Sequence, residues 1–227
     1  MARPKTGYRT RNGTKVPGVT TITSRFGNKE ALMGWNYNKG YADAEEGLPK
    51  NRFKVVQDAA DIGSYVHEMA RWHAEGEYGA PPKPEAPLTF EMTRQAHNGY
   101  LQFLDWEHGS NVKIVAWEEF MISEKYGFGG TPDAIFELPR YNDVGDYKNA
   151  KRFYQENLIQ VCAYMLLLEE NFPEYKTEGI QIVRFSKTEA IFAHERIGPG
   201  RLIEQGKLAF LRELELWNHY QVIDAAF

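Results

Sequence analysis

Two turns constrain this chain more than any other feature. The first, Gly127-Phe128-Gly129-Gly130-Thr131-Pro132, delivers Asp133 to the head of the apolar run Ala134-Ile135-Phe136. The second, Pro139-Arg140-Tyr141-Asn142, leads into Val144-Gly145-Asp146-Tyr147-Lys148. Glycine and proline mark the first as a tight hairpin, and the flanking runs read as strands. Residues two apart on a strand share a face, so Asp146 and Lys148 project together while Tyr147 points away. Antiparallel pairing of the two strands would bring Asp133 and Asp146 to one place, with Lys148 beside them.

Two carboxylates and an ammonium on one sheet face suit phosphodiester hydrolysis. The carboxylates can hold a hard divalent cation, which prefers oxygen ligands. Such an ion polarises phosphate and lowers the pKa of water, and a lysine can orient that water or stabilise charge on the phosphate. Other readings of these segments fail. The glycine-rich turn lacks the G-K-[ST] ending of a P-loop, and the sixth position of a kinase-like glycine loop counted from Gly127 is Pro132. His67-Glu68 is no zinc-protease motif, because Arg71 stands where the second histidine is required.

The segments Gly63-Ser64-Tyr65-Val66-His67-Glu68, Thr131-Pro132-Asp133, Asp146-Tyr147-Lys148 and Gln160-Val161-Cys162-Ala163-Tyr164 follow one another in the chain at plausible separations. Together they resemble the PD-(D/E)XK nuclease superfamily, and within it the RecB-like exonucleases. The resemblance implies that Asp133 and Asp146 bind metal, that Lys148 is catalytic, and that His67 and the main-chain oxygen of Tyr147 are further metal ligands. It implies one or two ions of Mg2+ or Mn2+, with an acidic residue on the preceding strand as an extra ligand; Glu118 is preferred to Glu119 for its distance from Asp133. Gln160 and Tyr164 lie four apart and so share a helix face. In the family these positions contact DNA or steady the site. Val19-Thr20-Thr21-Ile22 and Leu32-x-x-Trp35 also look like phage-encoded members.

The implied fold is a restriction-endonuclease-like α/β (α+β) core, a central mixed sheet flanked by helices. Pattern agrees with it. The Val16–Ile22 segment reads as a turn and a short β-type run. Helices are expected over about 29–45, with Leu32, Trp35 and Tyr41 as core contacts, and over 53–75, with Val55, Val56, Ala59, Ile62, Val66 and Met69 at helical spacing. Four prolines make 78–87 a loop. A helix over 89–108 carries Tyr100, Phe103, Leu104 and Trp106, and Val112 to Ile122 reads as the first long strand. A helix over 154–170 buries Leu158, Val161, Met165 and Leu168. Strands over 179–185 and 190–194 and a last helix over 200–220, with Leu202, Leu208, Leu211, Leu214 and Trp217, complete the order.

A chain of 227 residues with 42% hydrophobic content and no apolar run long enough for a membrane span suits one nuclease domain over 1–227. Its one cysteine, Cys162, excludes internal disulfides and a four-thiolate iron-sulfur cluster. No secretory leader opens it, so the cytoplasm, of the host for a phage protein, is expected. Net charge is -4, yet residues 1–29 hold seven basic residues (Arg3, Lys5, Arg9, Arg11, Lys15, Arg25 and Lys29) and no acidic one. Such an arm can lie along phosphates. Lys151 and Arg152, where strand gives way to helix, would reinforce the attraction of a helix N-terminus for phosphate. DNA is the expected partner, a single-strand-binding or annealing protein and a second copy of the chain are compatible ones, and a membrane is not. An endonuclease or junction resolvase on the same core is the alternative activity, and a non-catalytic DNA-binding protein the alternative class.

Overall fold

The structure, a computed structural model, describes residues 7–27, 29–45, 47, 52–76, 82–110, 112–148, 153–185 and 192–227. A hairpin of β1 (Tyr8–Arg9) and β2 (Lys15–Val16) opens the described chain, followed by helices α1 (Val19–Phe26), α2 (Lys29–Glu45), α3 (Arg52–Ala74) and α4 (Phe90–Ser110). Then come β3 (Lys113–Trp117), β4 (Met121–Ser123), β5 (Phe128–Gly130), β6 (Ala134–Glu137) and β7 (Asn142–Lys148). Helix α5 (Gln155–Asn171), strands β8 (Thr177–Phe185) and β9 (Phe192–Ile197), and helix α6 (Arg201–Asp224) end it. No helix among the described residues is long and apolar enough to cross a membrane.

The central sheet is mixed, as expected, in the order β3-β6-β7-β8-β9. β3, β6 and β7 form an antiparallel meander; β8 then runs parallel to β7 after the α5 crossover, and β9 returns antiparallel. Strand alternation sends side chains to two cores. Ile135, Val144, Ile180 and Ile182 face the side covered by α1, α5 and α6, where Ile22, Val161, Leu168 and Phe210 are buried. Ala134, Phe136, Tyr147 and Val183 face α3 and α4, against Val66, Met69, Phe103 and Trp106. Within that second layer, buried Asp143 accepts two bonds from Arg196, at 2.6 and 3.1 Å, and one from Gln181 at 2.9 Å, so the charge is paired away from water.

Several sequence expectations are corrected. The segment from Val19 is helix, not β, although it is rich in β-branched residues: Val19, Ile22 and Thr23 are buried on one helical face, and that burial outweighs local propensity. The expected strand from Val112 to Ile122 is two strands in different sheets, because Glu118 takes a φ of 45° and turns the chain out of the central sheet. Phe128–Gly130 is strand β5, paired with β4, and the tight turn lies before it, where the Gly127 N–H bonds the Ser123 carbonyl. On α6, Leu214 is buried and Trp217 packs against the core, as expected, but Leu202 and Leu208 are exposed, and Ile203, Gly206 and Phe210 complete the buried face. Leucines surround much of that helix, and the buried face comes closest to α5 at Gly206, where a Cβ would sit 2.5 Å from Cys162 Sγ. Tyr41 is exposed on α2. The side chains of Leu32, Trp35, Val55 and Val56, and residues 78–81, 186–190, Lys151 and Arg152, lie outside what the structure describes.

Candidate active site

The site forms where β6 and β7 diverge. Their register pairs Ala134 with Gly145, so the next step outward sets Asp133 opposite Asp146. Asp133 is fixed at three points: its Oδ2 accepts the Tyr147 N–H at 2.7 Å, its Oδ1 lies 3.5 Å from His67 Nδ1, and its carbonyl accepts the Glu118 N–H at 3.2 Å. Asp146, buried, ion-pairs with Lys148 through Oδ2. Two residues on from Asp146 along β7, Lys148 shares its face, and Tyr147 packs in the opposite core, as strand alternation requires.

Helix α5 supplies the brace. Gln160 Oε1 accepts from Lys148 Nζ at 3.0 Å, while its Nε2 donates to Asp146 Oδ1 at 3.2 Å and to the Tyr164 hydroxyl oxygen at 3.0 Å. Gln160 and Tyr164 are both buried, so the pair stands beneath Asp146 and Lys148 and not at the surface. A glutamine suits this role because its amide offers an acceptor to the ammonium and a donor to the carboxylate at once.

Electrostatically the two carboxylates are pushed apart. Burial raises Asp146, the charge of Asp133 adds to it, and Lys148 and His67 only partly offset them, leaving its pKa at about 6. Burial also acts on Asp133, but the His67 imidazole, Lys148 and the Tyr147 N–H outweigh it and hold Asp133 below the usual range. His67 is raised, because the attraction of Asp133 exceeds the penalty of its own burial. Lys148 is raised in the same way by Asp146 and Asp133. The result is a carboxylate held ionised beside one that takes up a proton near pH 6, with the Lys148 ammonium between Asp146 and Gln160.

Among the described residues, no three His, Cys, Asp or Glu side chains converge closely enough to hold an ion by themselves. Main-chain oxygen can complete such a set. The N–H and C=O of one strand residue face the same side, so the Tyr147 carbonyl faces the Asp133 side, as its N–H does. The Glu118 carboxylate is turned to Arg71, whose Nη1 donates to its Oε2 at 2.9 Å.

Two basic residues were not singled out from sequence. Arg71 lies one helical turn after His67 on α3, a spacing that could have flagged it. Arg184 could not be found locally: it is brought beside Lys148 by the parallel register of β7 and β8, on the same face. The basic β1–β2 hairpin exposes Arg9, Arg11 and Lys15, and is anchored near the site by buried Tyr8, whose hydroxyl lies 3.1 Å from Thr131 Oγ1.

No family profile matches the chain, and no curated protein matches it by sequence. Among solved structures it is similar to a candidate exonuclease from Eubacterium rectale at 14% identity and a TM-score of 0.52, over 82% of this chain and 73% of that one. It is also similar to the alkaline exonuclease LHK-Exo of Laribacter hongkongensis at 15% identity and a TM-score of 0.39, over 74% of this chain and 90% of that one. The first likeness is one of fold: both chains build the same mixed sheet flanked by helices.

Proposed function

We propose that this protein is a divalent-metal-dependent DNA nuclease, an exonuclease of RecB-like type that works as one unit over residues 1–227 in the cytoplasm, for a phage-encoded chain in DNA recombination, repair or replication. One observation carries the reading: Asp133, Asp146 and Lys148 converge from two strands and are braced by a single glutamine that bonds both Asp146 and Lys148. The shared fold with a candidate exonuclease supports it. The endonuclease alternative uses the same residues.

The donor set fits a hard cation. Asp133, Asp146 and the Tyr147 carbonyl offer oxygen and His67 an imidazole nitrogen, with the two aspartates one register step beyond the Ala134–Gly145 pair. Bound by them, Mg2+ or Mn2+ would supply Lewis-acid polarisation of the phosphate and a more acidic water. Lys148, held by Gln160, places its ammonium to stabilise the charge that builds on the phosphate during in-line attack. His67 holds Asp133 in its ionised form. The exposed cations of the β1–β2 hairpin, and Arg184 beside Lys148, draw the DNA backbone toward the site.

Purified protein incubated with end-labelled linear and closed circular DNA, in Mg2+, Mn2+ or EDTA, tests the reading beside an Asp146→Ala control. Metal-dependent loss of the linear DNA alone is the expected result. Cutting of the circle would establish the endonuclease instead, and no cutting of either would remove the nuclease reading.

Two further results follow. Cation binding requires ionised Asp146, so Mg2+ and Mn2+ affinity should fall by about tenfold per pH unit below about pH 6, and binding near that pH should release a proton. The sign for stability is opposite. The folded-state pKa of Asp146 lies above its unfolded value, so in the metal-free protein this group favours folding at low pH and that contribution is lost as pH rises through about 6. Calorimetry in buffers of different ionisation enthalpy reads the proton release, and its absence would sink the assignment. For DNA affinity, Arg184→Gln should weaken binding by the Asp146→Ala protein and lower the slope of log K against log salt by about one, the value for one lost phosphate contact.

A further inference from the structure

Glu118 stands at the end of β3 in a conformation that only glycine adopts without strain, with φ at 45°. It is the one non-glycine residue with positive φ among the described residues. Strain of this kind persists where surrounding contacts over-determine it. Two such contacts are visible. The Glu118 N–H donates to the Asp133 carbonyl at 3.2 Å, extending the β3–β6 ladder one step past the Trp117–Ala134 pair. The Glu118 carboxylate accepts from Arg71 Nη1 at 2.9 Å.

Arg71 is four residues beyond His67 on α3, so the two side chains leave the same face of the helix. His67 reaches the Asp133 side chain, at 3.5 Å, and Arg71 reaches Glu118, whose main chain holds the Asp133 carbonyl. Helix α3 therefore grips the head of β6 twice, one turn apart. Arg71 Nε also lies 3.8 Å from Glu75 Oε1, one turn further along α3.

We propose that Arg71 and Glu118 are a positioning pair: Arg71 pins the strained Glu118, Glu118 pins Asp133, and the Glu118 carboxylate serves Arg71 and not a metal ion. This departs from the ligand role that family resemblance implies for Glu118. It rests on the reading of Asp133 as a cation ligand.

Charge alone makes the two roles separable. Removing the positive charge of Arg71 should by Coulomb attraction tighten cation binding at a nearby carboxylate pair, and if Glu118 were a ligand, Arg71→Ala would also release it for that use. A positioning role demands the reverse. The test is Mn2+ titration by calorimetry on the full chain, together with DNA cleavage rates and thermal unfolding of each variant. Arg71→Ala and Glu118→Ala should each weaken Mn2+ binding and slow cleavage by about tenfold or more, the usual effect of losing a residue that orients a ligand, and the double variant should be little worse than either. Glu118→Gln, which keeps an acceptor for Arg71, should recover most of the loss. Glu118→Gly should weaken Mn2+ binding while its melting temperature holds or rises, because glycine takes this φ without strain.

Tight Mn2+ binding by Arg71→Ala, with Glu118→Gln as impaired as Glu118→Ala, would overturn the proposal and make Glu118 a ligand. Wild-type binding and rates in all the variants would overturn it as well. If Glu118→Ala does not fold, Glu118→Gln and Arg71→Lys carry the comparison, the first retaining and the second loosening the pair. A parent chain that binds Mn2+ yet cuts no DNA removes the nuclease reading and leaves the Mn2+ affinities to decide the pair; a parent that binds no Mn2+ overturns both.

Discussion

Lys148→Ala should leave a folded protein whose cleavage of DNA at saturating Mg2+ is slower by roughly a hundred- to a thousandfold, the usual loss when one preorganised charge-stabilising donor is removed. Lys148 is mostly buried, held by Asp146 on one side and Gln160 on the other, so its ammonium is already oriented before substrate arrives. The effect should fall on kcat and not on KM, because the interaction strengthens as charge builds on the phosphate. Lys148→Arg should not rescue it. A guanidinium is planar and forked, and neither the point of contact with Asp146 nor the single Gln160 acceptor suits it. Removing the ammonium also takes away a cation that lowers the Asp146 pKa, so the variant's pH–rate profile should shift to higher pH. Single-turnover cleavage across pH reads both effects, with far-UV circular dichroism as the check on folding. A wild-type single-turnover rate in a folded Lys148→Ala protein would remove Lys148 from the chemistry.

Gly145→Ala should destabilise the protein by about 3 kcal/mol or more, at or beyond the upper end of ordinary overpacking. A Cβ on Gly145 would sit 1.9 Å from Phe136 Cε2 and 2.6 Å from its Cζ. The ring has nowhere to go: Phe136 is fully buried, with the Trp106 ring centroid at 5.6 Å and that of Tyr147 at 6.3 Å. For a chain of this size the cost corresponds to a melting temperature lower by roughly 6–12 °C. Gly145 directly precedes Asp146, so the strand shift that relieves the clash should also displace that carboxylate and weaken cation binding. A melting temperature within about 2 °C of wild type would show that the sheet yields more easily than its packing indicates. This glycine is therefore required by a close ring contact and not by its backbone angles.

Much of the site was legible before any coordinates. Asp146 and Lys148 share a face because strand period is two, and Gln160 and Tyr164 share one because helix period brings i and i+4 together. Asp133 and Asp146 reach one site if the strands flanking the turn at 139–142 pair antiparallel, as they do. Each of these inferences is local, spanning at most one turn or one hairpin. The failures are of another kind. Val19 to Phe26 has β-branched composition, yet is helical because its buried face meets α5, far away in sequence. Leu202 and Leu208 of α6 mislead because leucines lie on more than one face of that helix, and only the face of Ile203, Gly206, Phe210 and Leu214 packs.

By itself, then, the sequence determined that Asp133 heads one strand, that Asp146 and Lys148 share a face of the next, and that Gln160 and Tyr164 share a face of the following helix, since short-range periodicity and turn chemistry suffice for these; family resemblance marked the trio of Asp133, Asp146 and Lys148 as a site. Only the tertiary structure decided that Gln160 bonds both Asp146 and Lys148, that Arg184 stands beside Lys148, and that Glu118 turns to Arg71. Those relations join residues from separate elements, and no local pattern encodes the distance between two surfaces that meet only when the chain has folded.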